Sequence, residues 1–120
     1  MIRRASEMRT EIRQDMKGGR GPTHIQHYLT KEDFGAAVRL CAKLILPPGA
    51  SIGPHRHDNE DEVFIIQRGR GIVDDGRQQT PVTAGDVTIT GRGESHSIAN
   101  AGSEDLEITA IIACYHPPAA

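Results

Sequence analysis

The chain has 120 residues, with 14 basic and 16 acidic side chains, a formal net charge of −2, 3% aromatic residues and no tryptophan. That length suits one domain able to bury roughly two-thirds of its unfolded surface, while the near balance of charge offers no field for nucleic acid or an anionic membrane, and scarce aromatics leave no stacking platform for single strands. No uncharged apolar run approaches the roughly 18 residues that cross a bilayer, and the N-terminus has no apolar stretch of signal-peptide length, so a cytoplasmic protein with a small-molecule partner is expected.

Residues 1–34 read as an N-terminal arm followed by a first strand. Met8, Ile12 and Met16 fall on one helical face, yet Ile12, Gln14 and Met16 equally suit one side of a strand, so the arm's local structure stays open. Its charges, Arg3, Arg4, Arg9 and Arg13 among Glu7, Glu11 and Asp15, suit a segment exchanged or packed across a dimer. "KGGRG" at 17–21 lacks the Gly-Lys-Ser/Thr ending of a phosphate loop and reads as a flexible bend. The first strand, 25–29, carries "IQHYL".

From residue 35 to 118 one β domain is expected. Glycine and proline punctuate the chain at intervals that suit many short strands, at 37–46, 51–57, 62–68, 71–74, 78–82, 86–90, 96–100 and 106–115. "VTIT" and "LEIT" alternate with the period of a sheet buried on one face, whereas "VFII" is apolar throughout. A double-sheet jelly roll or closed barrel accommodates both. "DDGR" at 74–77 predicts a tight hairpin whose central Asp-Gly pair accepts positive φ. Cys41 and Cys114 form no CxxC pair and read as free thiols in a reducing compartment.

The chemistry concentrates in "PHRHDNEDEVFII", 54–66. On a strand, side chains two residues apart share a face about 6.6 Å apart, so His55 and His57 can close on one ion while Arg56 points away. Glu62, in phase with Phe64 and Ile66, is the carboxylate best positioned to join them, and Asp61 is the alternative; Asp58 to Asp61 form a polar, mostly solvated turn. Downstream, "GDVTITGRGESHSIAN" brings His96 to the start of another strand. Three imidazoles and a carboxylate suit a divalent first-row metal, not a soft-metal sulfur site.

These residues resemble the signature segments of the cupin superfamily, in particular its small single-domain bacterial members. Gly49, His55, His57, Glu62 and Gly69 match the first motif at every position, and Gly85, Gly93, His96 and Asn100 match the second, which departs only where Gly91 stands in place of proline. Loss of that proline is expected to loosen the turn from Gly91 to Glu94. The resemblance implies a jelly-roll barrel, often dimeric, so a homodimer is expected. It also implies a divalent ion (Mn, Fe, Ni, Zn or Cu) held by His55, His57, Glu62 and His96, with two adjacent positions open. A metal-dependent enzyme of dioxygenase, decarboxylase, isomerase or lyase type acting on a small organic molecule follows, or alternatively a non-catalytic binding or sensing module; fold analogy does not choose between them. No general base stands out. His24, His27, Tyr28, Arg92 and His116 are candidates at the barrel mouth, against the plainer reading of polar surface residues.

Overall fold

The computed structural model describes residues 1–115, so His116 lies outside the described residues. The fold is all-β, two antiparallel sheets stacked as a jelly roll, with helix limited to short 3₁₀ turns. In chain order the strands are β1 Thr10–Gln14, β2 Pro22–Leu29, β3 Val38–Leu46, β4 Ser51–Arg56, β5 Glu60–Arg68, β6 Arg70–Asp74, β7 Gln79–Thr83, β8 Val87–Gly91, β9 Ser95–Asn100 and β10 Leu106–Cys114. One sheet runs β1-β2-β3-β10-β5-β8 and the other β4-β9-β6-β7.

The nine expected strands are all present, and their inward residues meet between the sheets. Leu44 and Leu46 of β3, Ile52 of β4, Phe64 and Ile66 of β5, Ile98 of β9 and Leu106 and Ile108 of β10 are fully buried. Each such side chain contributes about 1.5–3 kcal/mol relative to exposure. The alternation explains the uniformly apolar run on β5. Phe64 and Ile66 face inward while Val63 and Ile65, half-buried, are on the opposite face, flanked in the sheet by residues of β10 and β8.

A tenth strand is the one the arm left undecided. β1 pairs antiparallel with β2 of the same chain, from Thr10 opposite Gln26 to Gln14 opposite Pro22. The bend after it is more built than expected. Asp15 takes a left-handed backbone, its carboxylate accepts the Gly21 amide at 2.9 Å, and Arg20 exchanges backbone hydrogen bonds with Ser51 at 3.2 and 2.8 Å. Residues 15–21 are thus strapped to β4. A Cβ on Gly19 would collide with the Ser51 carbonyl, and one on Gly53 with the Lys17 carbonyl, so the two segments interlock through glycines.

The β6–β7 hairpin forms, with its turn displaced by one residue. Asp74 pairs with Gln79, and only Gly76 takes positive φ; the Asp75 carboxylate instead accepts the Arg77 and Gln78 amides at 2.8 and 2.9 Å. Aspartate serves here as a side-chain acceptor in place of a strained central residue. The Gly91–Glu94 turn also differs from expectation. The Gly91 amide donates to Glu94 Oε1 at 3.2 Å, the Glu94 amide to the Gly91 carbonyl at 2.9 Å and the Arg92 amide to Tyr115 Oη at 2.9 Å. Proline at 91 would remove one of those donors, and any Cβ there would meet Asp61 Oδ1, so hydrogen bonds do the stiffening that a ring does elsewhere.

Candidate metal centre

Four side chains from two sheets converge on one point. His55 lies on β4, directly opposite His96 on the neighbouring β9, and His57 follows just beyond the end of β4, its backbone tied to the 93–94 turn by the His57 amide on the Glu94 carbonyl at 3.0 Å and the Gly93 amide on the His57 carbonyl at 2.9 Å. Glu62 comes from β5 in the facing sheet and is 4% exposed, alongside His57 at 2% and His96 at 1%. Phase decides between the acids. Glu62 shares the inward face with Phe64, whereas Asp61 points outward and accepts the Tyr115 hydroxyl at 2.6 Å.

The donor atoms have the spacing an ion needs. His96 Nε2 stands 3.0 Å from His57 Nε2, 3.1 Å from His55 Nε2 and 2.9 Å from Glu62 Oε1, and His57 Nε2 is 3.0 Å from that same oxygen. Donors at right angles, each about 2.1 Å from a common ion, stand about 3 Å apart. His55 Nε2 is wider, 3.8 Å from Glu62 Oε1, and all four donors lie within 4.8 Å of one another. The four residues could therefore hold a divalent ion.

The far nitrogen of each ring says which way the lone pairs point. His55 Nδ1 donates to the Gly53 carbonyl at 2.8 Å and His57 Nδ1 to Glu60 Oε2 at 2.5 Å; both acceptors lack a proton, so each Nε2 offers a bare lone pair to the centre. His96 Nδ1 is paired with Thr90 Oγ1 at 3.0 Å, and its ring stacks on Phe64 at 4.9 Å and 19°. Converging lone pairs about 3 Å apart repel unless a cation lies between them. Charge points the same way. Burial opposes ionisation of Glu62, but the His55, His57 and His96 rings outweigh it and hold its carboxyl well below the ordinary range. Glu62 and Glu60 raise the His57 pKa against its burial, whereas burial lowers that of His96. The centre is built to favour positive charge, supplied by a metal or by a proton.

Glu60 is the residue that sequence reasoning misplaced. It belongs to β5, not to the solvated turn, because the chain reverses sooner, at Asn59 with φ 59°. Two residues from Glu62, it shares that inward phase, buttresses His57, and is clamped by Arg39 through two bonds of 2.8 Å. The spacing from Glu62 was the available signal.

A cavity of about 290 Å³ opens over the centre, lined by His55, His57, Glu62 and Phe64 at its base and by Arg9, Arg13, Lys17, Arg39 and Arg56 around it. His27 also lines it, on the inward face of β2 with Ile25, and bonds Glu11 at 2.7 Å. His24, one residue out of phase, lies instead in a shallow groove with Ile12 and Ile45. Tyr28 bonds Thr109 Oγ1 at 3.2 Å and Arg92 is exposed in its turn, so neither lines this cavity. The arm's contribution to the wall had no signal in local sequence, since it depends on the strap to β4.

A family model for the cupin domain matches residues 42–112. The chain is 44% identical over 112 residues to a Thermotoga maritima protein named oxalate-binding protein, with 93% of each covered. It is 30% identical over 94 residues, 78% of this chain and 73% of the other, to an uncharacterized protein of Methanocaldococcus jannaschii. Among solved structures it resembles a Thermotoga maritima protein described as a predicted oxalate decarboxylase, with TM-score 0.90, 43% identity, and coverage of 95% of this chain and 99% of the other.

Proposed function

We propose, from the premise that this chain belongs to the cupin family, that it binds oxalate or a similarly small carboxylate on a divalent metal ion held by His55, His57, Glu62 and His96. The observation that carries this reading is the convergence of four donor atoms, two of them imidazole nitrogens with bare lone pairs, beside a cavity lined by cations. When bound, such an ion acts as a Lewis acid toward carboxylate oxygens. The chain's own residues do the rest. Glu60 and the Gly53 carbonyl orient two rings through their far nitrogens, Phe64 and Ile52 keep the base of the cavity dry, and the cationic rim attracts an anion. The relative named for oxalate binding supports the ligand class.

A metal-dependent enzyme is the second reading, favoured by one further observation. Loss of CO2 from oxalate leaves a carbon that must take up one proton, and His27, lining the cavity with Glu11 behind it, is placed to carry one. Exposed Ile12 on edge strand β1 and exposed Val87 and Ile89 on edge strand β8 support a homodimer.

The test uses protein purified without a nickel column, its metal content measured, then loaded with Mn(II) and titrated with oxalate by calorimetry. Saturable one-to-one binding that disappears in the His55→Ala/His57→Ala variant is expected; equal binding by that variant overturns the proposal. Formate release during incubation separates enzyme from binding module.

A further inference from the structure

The cations around the cavity are not equivalent. Arg9 and Arg13 share Glu11 at 3.3 and 2.8 Å, Arg39 is engaged by Glu60, and Arg56 meets Asp58 at 2.7 Å. Lys17 lines the same cavity and has neither an ion pair nor a side-chain hydrogen bond among the described residues. An anion approaching any of the arginines competes with a carboxylate already there. One approaching Lys17 does not.

The backbone beneath Lys17 is unusual as well. Its φ of 57° and ψ of 31° lie in the left-handed region, which a residue with a Cβ enters only at a cost; Gly18 beside it, with φ 79°, takes positive φ without that cost. Strain of this kind persists where surrounding structure enforces it, often at ligand sites. Here the enforcement is visible. The Lys17 carbonyl packs on Gly53, two residues before the ligand-position His55 on β4, and Arg20 is bonded on both sides to Ser51. The side chain therefore starts from a root fixed to the strand that bears His55.

We propose that Lys17 is the specificity residue for the second anionic group of the ligand, selecting small dicarboxylates over monocarboxylates. This rests on the reading of the site as a metal-held carboxylate site. A cavity of about 290 Å³ is more than one carboxylate on the ion would fill. The end of a dicarboxylate remote from the ion must lose part of its hydration there, and an ammonium without a competing partner compensates for that loss.

The experiment is calorimetric titration of the full-length Mn(II)-loaded protein with oxalate, malonate and acetate, in parallel with thermal unfolding. Lys17→Met is expected to weaken dicarboxylate binding about tenfold, the size of one charge-assisted contact, and to leave acetate within about twofold. Lys17→Arg should stay within about threefold of the parent. Lys17→Gly should lose affinity as the methionine variant does, yet unfold at a temperature no lower than the parent's, because glycine relieves the left-handed backbone. Unchanged dicarboxylate affinity in the methionine and glycine variants overturns the inference, as does an equal loss in all three variants accompanied by a lowered unfolding temperature, which marks a purely structural lysine. A parent protein that binds no dicarboxylate instead overturns the proposed function, and this inference with it.

Discussion

Glu60 does not belong to the four-donor set, yet it sets what one of the donors can do. Arg39, the larger influence, holds its carboxyl below the ordinary range together with His57, so it stays ionised and keeps the proton of His57 on Nδ1, away from the centre. Removing its charge should let the ring rotate or take the wrong tautomer. Glu60→Gln is expected to weaken metal binding about 10- to 100-fold, measured by competition with a chromogenic chelator. Affinity equal to the parent's would mean that ring orientation comes from packing alone. The same scale explains why Asp61, adjacent in sequence, has a different occupation. One position along a strand reverses the face, and Asp61 joins Tyr115 at the surface.

Among the elements, β4 bears the most. It supplies His55, leads directly into His57, and is held from behind by the 15–21 strap through the facing glycines Gly19 and Gly53. Its pairing with β9 is interrupted between Ile52 and His55, where Pro54 stands, so the strand tolerates a residue that cannot donate to the ladder. Gly53→Ala forces a Cβ against backbone atoms that cannot swing aside. It should cost about 2 kcal/mol and lower the thermal midpoint by several degrees while also weakening metal binding, because His55 Nδ1 bonds to the Gly53 carbonyl. Gly35→Ala, whose Cβ would meet nothing within 4 Å, is the control and should fall within about 0.5 kcal/mol of the parent. Equal midpoints for the two variants would refute the interlock.

For the molecule as a whole, an ion at this centre would join the two sheets, with three imidazoles from the β4–β9 side and one carboxylate from β5. Metal should therefore stabilise the fold. At about 100-fold excess over its dissociation constant the gain is about 2.7 kcal/mol, so chelation should lower the midpoint near neutral pH. Its pH dependence follows from the donors. Imidazole binds metal only when neutral, and its unperturbed pKa is about 6.5. In the metal-free fold, Glu62 and Glu60 raise the His57 pKa, so the stability its proton contributes is full below about pH 6.5 and is lost as pH rises through the raised value. Burial lowers the His96 pKa, so its contribution has the opposite sense, present above about pH 6.5 and lost as pH falls. Metal opposes the proton at both rings. The midpoint difference between metal-loaded and chelated protein should shrink as pH falls from about 7.5 and vanish near pH 5. A difference preserved at pH 4.5 would argue against a three-imidazole centre.

Much of this was legible along the chain because it depends on short-range rules. Strand period put Glu62 in phase with Phe64 and His55 in phase with His57, and Gly- and Pro-rich turns marked nine of the ten strands. What local pattern could not carry was any property set by a partner far away in sequence. β1 was ambiguous because five residues flanked by charges satisfy two periods at once, and pairing with β2 decides between them. Glu60 read as solvated because only the turn at Asn59 and the reach of Arg39 from β3 bring it inward. The cavity wall formed by the arm exists only because glycines more than thirty positions apart meet face to face. By itself the sequence determined the all-β class and the candidate donor set, since both follow from alternation and residue type. Tertiary structure alone decided which side chains support the donors and which cation beside them has no ion-pair partner among the described residues, because such contacts arise when sheets stack and not when strands form.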